Sequence, residues 1–496
     1  MTTLNDADLT IEINEERLSY YPGDQLQGHL QLRLTKDSPI GKVSVRLSGC
    51  TKWKIVQSNG QSTSTFRGRA ELFSDERILH DDHYKHKCSV IKWPFEFRIP
   101  DVVNLSNVGT KWNRRDGFLT TDDKQAHPLP PSFKFADSRT GKRWHAFTAY
   151  VIEATVIEPE DRKILKPKTK RLVKAIRVLP RPTPESIDVN DPRQRRGSLE
   201  TFTIRTLRLL PEHAKSLSIM QRTKSLSSPA NLPRFTFDID VSYPSIIQAY
   251  HPTVLPFVVA ASARTDADLT TIQPDMRSFY RYPSLMVRHL KLSLQANTDC
   301  RCPSILSDTY AGTVHDITLV DRHFSHMPLM VRSLAWDQKN EREDDTPSFI
   351  NFGKECNIVV TRDSRDHSKN GKMAKSTQES PPVQTFISPS FTTYNISRRY
   401  YLAWSVEFEC AGEKVMLKGR SSEEVTVLGP AASESGDLLP DDALWNAVPG
   451  DDGGGDDEEV SRRPSNRDTL PAYSILPDSG TSTIESGPAR SAGKGR

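Results

Sequence analysis

The chain reads as an all-β protein of two tandem β-sandwiches followed by a disordered tail, and three observations lead there. Apolar and polar residues alternate with a period of two in many short segments. Turn-forming Pro, Gly, Asn and Asp residues separate those segments, and no amphipathic helix of ordinary length appears. At 496 residues the chain is long enough for two or three domains with their own cores.

Residues 1–180 carry the first set of alternations. Leu9, Ile11 and Ile13 alternate with Thr10 and Glu12. Tyr21-Pro22-Gly23-Asp24 marks a turn, because Pro presets its φ and Gly accepts positive φ. Leu26, Leu30, Leu32 and Leu34 follow with Gly28 in the same register, then Val43, Val45 and Leu47. Ile91, Trp93, Phe95, Phe97 and Ile99 give the cleanest case, with Lys92, Glu96 and Arg98 on the other face. Tyr150, Ile152, Ala154 and Val156 repeat the pattern. Strands with one dry and one wet face belong to antiparallel sheets, and a series of them reads as a sandwich.

Residues 181–231 form a basic, Ser- and Pro-containing linker, with room for an edge strand around Phe202–Leu210. Alternation resumes over 232–430, a second sandwich. Phe235, Phe237, Ile239 and Val241 make one strand, Leu290, Leu292 and Leu294 another, and Leu402, Trp404, Val406, Phe408 and Cys410 a third. Val425 and Val427 close it. The charge-mixed run 336–386 has no apolar period and is expected to be a surface insertion. Residues 431–496 are acidic, then Ser/Pro/Arg-rich, and cannot bury enough apolar surface to offset ordering entropy, so a disordered tail is expected.

Composition narrows the function classes. A formal net charge of +4 is small for this length and argues against a dedicated nucleic-acid binder. The six cysteines are scattered, which fits reduced thiols in an intracellular compartment better than a disulfide framework. The segment Met1–Asp8 lacks the basic-then-apolar pattern of a signal peptide, and no apolar run reaches the ~20 residues that span a bilayer. A soluble, cytoplasmic protein is expected. Neither a Gly-rich phosphate loop, a Gly-x-Ser-x-Gly elbow nor a His-Glu-x-x-His motif is present, so no enzyme and no cofactor is expected. Cys300-Arg301-Cys302, and His83 and His86 near Cys88, lack a second ligand pair at finger-like spacing, so no metal is expected.

Short motifs follow one another along both halves. Tyr21-Pro22-Gly23-Asp24-Gln25-Leu26-Gln27-Gly28 is similar to an early strand–turn–strand signature of arrestin N-terminal domains, and Trp93-Pro94-Phe95-Glu96-Phe97 to a later core strand. Leu129-Pro130-Pro131-Ser132-Phe133 and the Tyr150–Val156 strand fit the same group. Tyr250-His251-Pro252, Leu255-Pro256-Phe257 and the run from Ser390 to Ser397 resemble the C-terminal arrestin domain. The resemblance is to fungal arrestin-like proteins and covers roughly residues 1–430 in the family's order. It implies two immunoglobulin-like sandwiches in the arrestin fold. It also implies an adaptor that links plasma-membrane cargo, a transporter or receptor, to a WW-domain HECT ubiquitin ligase and promotes ubiquitination and endocytosis. Recruitment from the cytoplasm to the plasma membrane or endosomes follows from that role. A ubiquitin-independent scaffold for signalling or endosomal sorting is the alternative.

The candidate site residues are short linear motifs. Leu470-Pro471-Ala472-Tyr473 is a variant of the Pro-Pro-x-Tyr core, in which a polyproline-II turn and the Tyr fill a WW-domain groove. Ser198, Ser225 and Ser465 each follow Arg at two or three positions upstream, the pattern that basophilic kinases read. A phosphate there would offer a phosphoserine-binding adaptor a strong anion. The basic run Arg162–Arg171 is a candidate for peripheral attraction to anionic lipid, weighed against a solvated turn between strands.

Overall fold

The alternation of the first half becomes two facing sheets. In the computed structural model, residues 8–58, 63–109, 112, 117–123, 125–137, 142–159, 168–181, 195–210, 213, 220, 232–250, 253–264, 266, 270–272, 282–302, 308–333, 349–360 and 387–429 are described. The chain divides into two units, Met1–Asn446 and Ala447–Arg496, and the described residues all belong to the first. They are mostly strand, an all-β protein.

The first half contains β1 (Asp8–Ile13), β2 (Gln25–Arg33), β3 (Ser38–Ser58), β4 (Thr63–His86), β5 (Val90–Arg98), a one-turn helix α1 (Leu105–Val108), β6 (Phe133–Asp137), β7 (Lys142–Ile157) and β8 (Thr169–Ile176). One sheet runs β1-β2-β5 and the other β4-β3-β7-β6, with β8 also paired to β7. Leu26, Leu30 and Phe97 from the first sheet meet Val43, Leu47, Ile152 and Val156 from the second in one apolar cluster. The layers are sandwich-like. Pro94 stands in β5, which among the described residues pairs with β2 alone, so its missing N–H leaves no ladder bond unmade there.

On the outer face of the second sheet, Arg46 and Arg171 converge on Glu153, each at 2.6 Å. Burial works against ionisation of Glu153, and the hydrogen bonds from Arg171 and Arg46 outweigh it, so its carboxyl ionises below the usual glutamate range. A folded value lower than the unfolded one adds stability above the ordinary glutamate range, and that stability is lost as pH falls through the lowered value. Glu153→Gln is therefore expected to cost about 1 kcal/mol near neutral pH, both arginines being partly screened by solvent. Urea midpoints measured against pH should show the gap between wild type and variant closing in acid.

The second half contains β9 (Arg195–Arg205), β10 (Arg234–Pro244), β11 (Ile246–Gln248), β12 (Val258–Ala263), β13 (Leu285–Cys302), β14 (Thr309–His323), β15 (Pro328–Leu329), β16 (Val331–Ser333), β17 (Phe349–Asn351), α2 (Phe352–Cys356), β18 (Phe391–Thr392), β19 (Ile396–Cys410), β20 (Glu413–Arg420) and β21 (Thr426–Leu428). One sheet runs β16-β12-β10-β9 with β17 on β12. The other runs β14-β13-β19-β18, with β15 on β13 and β20 on β19. Phe235, Phe237 and Ile239 of β10 pack against Leu290 and Leu292 of β13 and Val406 and Phe408 of β19.

Two expectations change here. The stretch 195–199, expected as linker, belongs to β9, which pairs with β10 along its whole length from Arg195 to Arg205. Its Arg- and Ser-rich start carries no apolar period, and the backbone ladder to β10 decides its state. The run 336–386 is not wholly a surface insertion, because Ile350, Phe352, Ile358 and Val360 are buried in the second core. The backbone there is tied in as well: Leu255 N donates to Ile358 O at 2.8 Å and Tyr250 N to Val360 O at 2.7 Å. Four apolar residues spread over eleven positions make no period that a sequence pattern can register.

Candidate functional site

The strands that build the two cores are longer than either core needs. β3 has 21 residues and β13 has 18, against the usual ~5–6. Along β3 the odd-numbered side chains Val43, Val45 and Leu47 face the first core. Three pleat repeats later, Trp53 and Ile55 on the same side join Phe133, Trp144 and Ala146 in a separate cluster with Cys300, Cys302, Ala311 and Ile396. One strand thus serves two cores, and the described residues of the two halves meet on a dry surface.

A turn of the second half penetrates the first. Between β18 and β19, Thr393 Oγ1 accepts the backbone N–H groups of Asn395 at 3.3 Å and Ile396 at 2.9 Å, which holds the turn tight. That places Tyr394, fully buried, inside the apolar cluster of the first half. Its hydroxyl lies 2.7 Å from His127 Nδ1. Burial pushes the Tyr394 phenol up to about 12, so it stays neutral at any physiological pH. Leu119 N donates to Thr393 O at 2.9 Å, and Asn395 Nδ2 to Thr51 O at 3.5 Å. The turn is a peg with polar contacts on both flanks.

Two arginines are buried beside the peg. Arg301 is 1% exposed. Its Nη2 donates to Tyr394 O at 3.0 Å, and its guanidinium lies 5.8 Å from the Trp112 ring centre and 5.2 Å from that of Phe118. Arg398 is 5% exposed. It donates to Thr298 Oγ1 and to the Tyr400 hydroxyl, and lies over the rings of Phe133, Phe135 and Tyr400. Around Arg398, aromatic faces and neutral oxygens stabilise the cation. The cations tie together residues drawn from both halves: Trp112 and Phe118 with Arg301, Phe133 and Phe135 with Arg398. The arrangement couples the halves mechanically, since neither can shift without breaking contacts of a desolvated charge.

The sequence motifs fall unevenly on this geometry. The run from Ser390 to Ser397 is the peg itself. Leu129 and Phe133 of the Pro-Pro motif are buried, and Tyr150 donates its hydroxyl to Pro130 O at 2.5 Å. Ser198, expected in a linker, sits in β9 opposite Val241, half-buried. Arg196 upstream of it pairs with Glu423 at 3.0 Å. Ser225, Ser465, Leu470, Pro471 and Tyr473 lie outside the described residues, as do 162–167 of the basic run. Within that run, Arg171 is held by Glu153.

Cys300 and Cys302 point into the dry cluster, and burial pushes the Cys300 thiol well up. All six cysteines are free thiols. Among the described residues no group of three or more His, Cys, Asp or Glu side chains is placed to hold a metal ion. No helix among them is long and apolar enough to cross a membrane. Sequence reasoning did not single out Arg301, Arg398, Trp112 or His127 as junction residues. The signal that existed was Tyr394 within a motif, a large residue in a polar turn where solvent exposure would be the ordinary outcome.

No protein-family model matches this chain, and no curated protein matches it either.

Proposed function

We propose that the chain is an adaptor of the arrestin-like class, built from two immunoglobulin-like sandwiches. In this reading it links a membrane transporter or receptor to a WW-domain HECT ubiquitin ligase and so promotes ubiquitination and endocytosis. One observation carries the reading: two sandwich-like halves, each with its own core, are joined by a buried peg and two buried arginines. Such an object offers broad rigid β surfaces for recognition. The ordered motif series resembling arrestin domains supports the same view, and the peg falls on one of those motifs.

Ligase recruitment is assigned to Leu470, Pro471 and Tyr473, the Tyr filling the second pocket of a WW groove. Affinity purification of the full chain from cells, wild type beside Tyr473→Ala, is the test. Wild type is expected to recover a HECT ligase and a membrane cargo, and the variant to retain cargo while losing the ligase at least tenfold. Undiminished ligase recovery with Tyr473→Ala removes the motif from the mechanism. Cargo without ligase in both samples favours a ubiquitin-independent scaffold for signalling or endosomal sorting. Phosphorylation at Ser198, Ser225 or Ser465 would act by docking a phosphoserine-binding adaptor over the chain.

A further inference from the structure

Lys52, Lys54 and Val56 of β3 alternate with Trp53 and Ile55 and so face away from the dry cluster, onto the outer surface of the β4-β3-β7-β6 sheet. Three successive cross-strand rows there follow from the register. The first is Thr65–Val56–Arg143, the second Arg67–Lys54–His145–Ala136, and the third Arg69–Lys52–Phe147–Lys134. No acidic side chain stands in any of the rows. Arg67, Arg69, Lys134 and Arg143 are exposed, and Lys52 and Lys54 are half-buried as mid-sheet positions must be. Lys52, Lys54, Arg69, Lys134 and Arg143 make no ion pair among the described residues. Farther along the same face the character changes: Arg46 and Arg171 are neutralised by Glu153. The excess positive charge is therefore confined to the end of the sheet that lies behind the junction.

We propose that this basic face is a docking surface for an anionic phospholipid membrane. The charges are spread over four strands and three rows, a patch roughly 14 Å on each side at ordinary strand spacing. A bound peptide strand reads a line of alternate side chains or pairs with an edge. This array is flat and two-dimensional, the form of a headgroup layer. Single-stranded nucleic acid needs exposed aromatic rings to stack on, and the one phenylalanine in the array, Phe147, is only 7% exposed. Charge complementarity to a plane of phosphates and carboxylates is the match that remains. The proposal does not depend on the adaptor reading, since it concerns a surface with no part in WW-domain binding.

The experiment is co-sedimentation of the full-length chain with phosphatidylcholine vesicles and with vesicles that also contain phosphatidylserine. Wild type is expected on the anionic vesicles alone, released as ionic strength rises. Each cation near the surface contributes about fivefold in partitioning, so Lys52→Gln, Lys54→Gln and Arg69→Gln together should lower binding roughly a hundredfold. Lys418→Gln, on an exposed position of β20 in the other half, should leave binding unchanged. If the triple variant melts below wild type, Lys134→Gln with Arg143→Gln serves instead, with roughly a twenty-fivefold loss expected. Equal binding by wild type and a folded basic-face variant would overturn the proposal. So would capture of an acidic polypeptide such as polyglutamate with no binding to anionic vesicles, which would make the partner a protein.

Discussion

Tyr394→Ala is expected to destabilise the protein by about 3–5 kcal/mol, the range for removing a large buried aromatic. The side chain is fully buried in a core to which its own strands do not belong. Its loss leaves a cavity where the second half entered the first and takes the hydroxyl partner from His127, while the backbone carbonyl that Arg301 holds remains. The halves should then unfold as separate transitions, because the peg is what makes their stabilities interdependent. Urea unfolding followed by tryptophan fluorescence reads both, with Trp112 at the peg and Trp404 in the second core. Tyr394→Phe keeps the volume and loses only the hydroxyl contact to His127, so a cost of about 1 kcal/mol is expected. A single unshifted transition for Tyr394→Ala would mean that the apolar cluster around Trp53 alone holds the halves together.

Gly28→Val should cost about 2–3 kcal/mol through a different mechanism. Gly28 lies in the middle of β2, between β1 and β5. A Cβ there would sit 2.2 Å from the Glu12 carbonyl oxygen and 2.7 Å from Phe95 Cζ. The first contact is backbone and cannot swing aside, so β1 must lift from the sheet. Hydrogen exchange at the amides of Leu9, Ile11 and Ile13 should quicken in the variant while those of β7 stay protected. Uniform protection across β1 would show that the β2 backbone at residue 28 gives way instead of β1.

The contrast between these two residues shows what could be read in advance. Gly28 was visible as the one position without a side chain in an otherwise apolar row, Leu26 to Leu34. The strands around it, and those of Phe235–Val241 and Leu402–Cys410, were legible for the same reason. The β9 segment and the buried part of 349–360 were not. Arg195-Arg196-Gly197-Ser198 becomes strand because β10 offers it a ladder. Phe352 becomes core because Phe257 O accepts its N–H and fixes it over the second cluster. Both outcomes depend on partners distant in the chain.

The same division holds for the sites. Period-two alternation is local: it follows from the pleat, so the sequence by itself determined the all-β class and which face of each strand is dry. It said nothing of what lies against that face. Along β3 every odd-numbered position from Val43 to Ile55 is buried, yet the first part packs within its own half and the last part against Cys300 and Ile396. Only the tertiary structure decided where that change of partner occurs, and with it the burial of Tyr394, Arg301 and Arg398. It also gathered Lys52, Lys54, Arg69, Lys134 and Arg143 on one surface, because the register of four strands brings side by side charges that stand up to 91 positions apart (143 − 52).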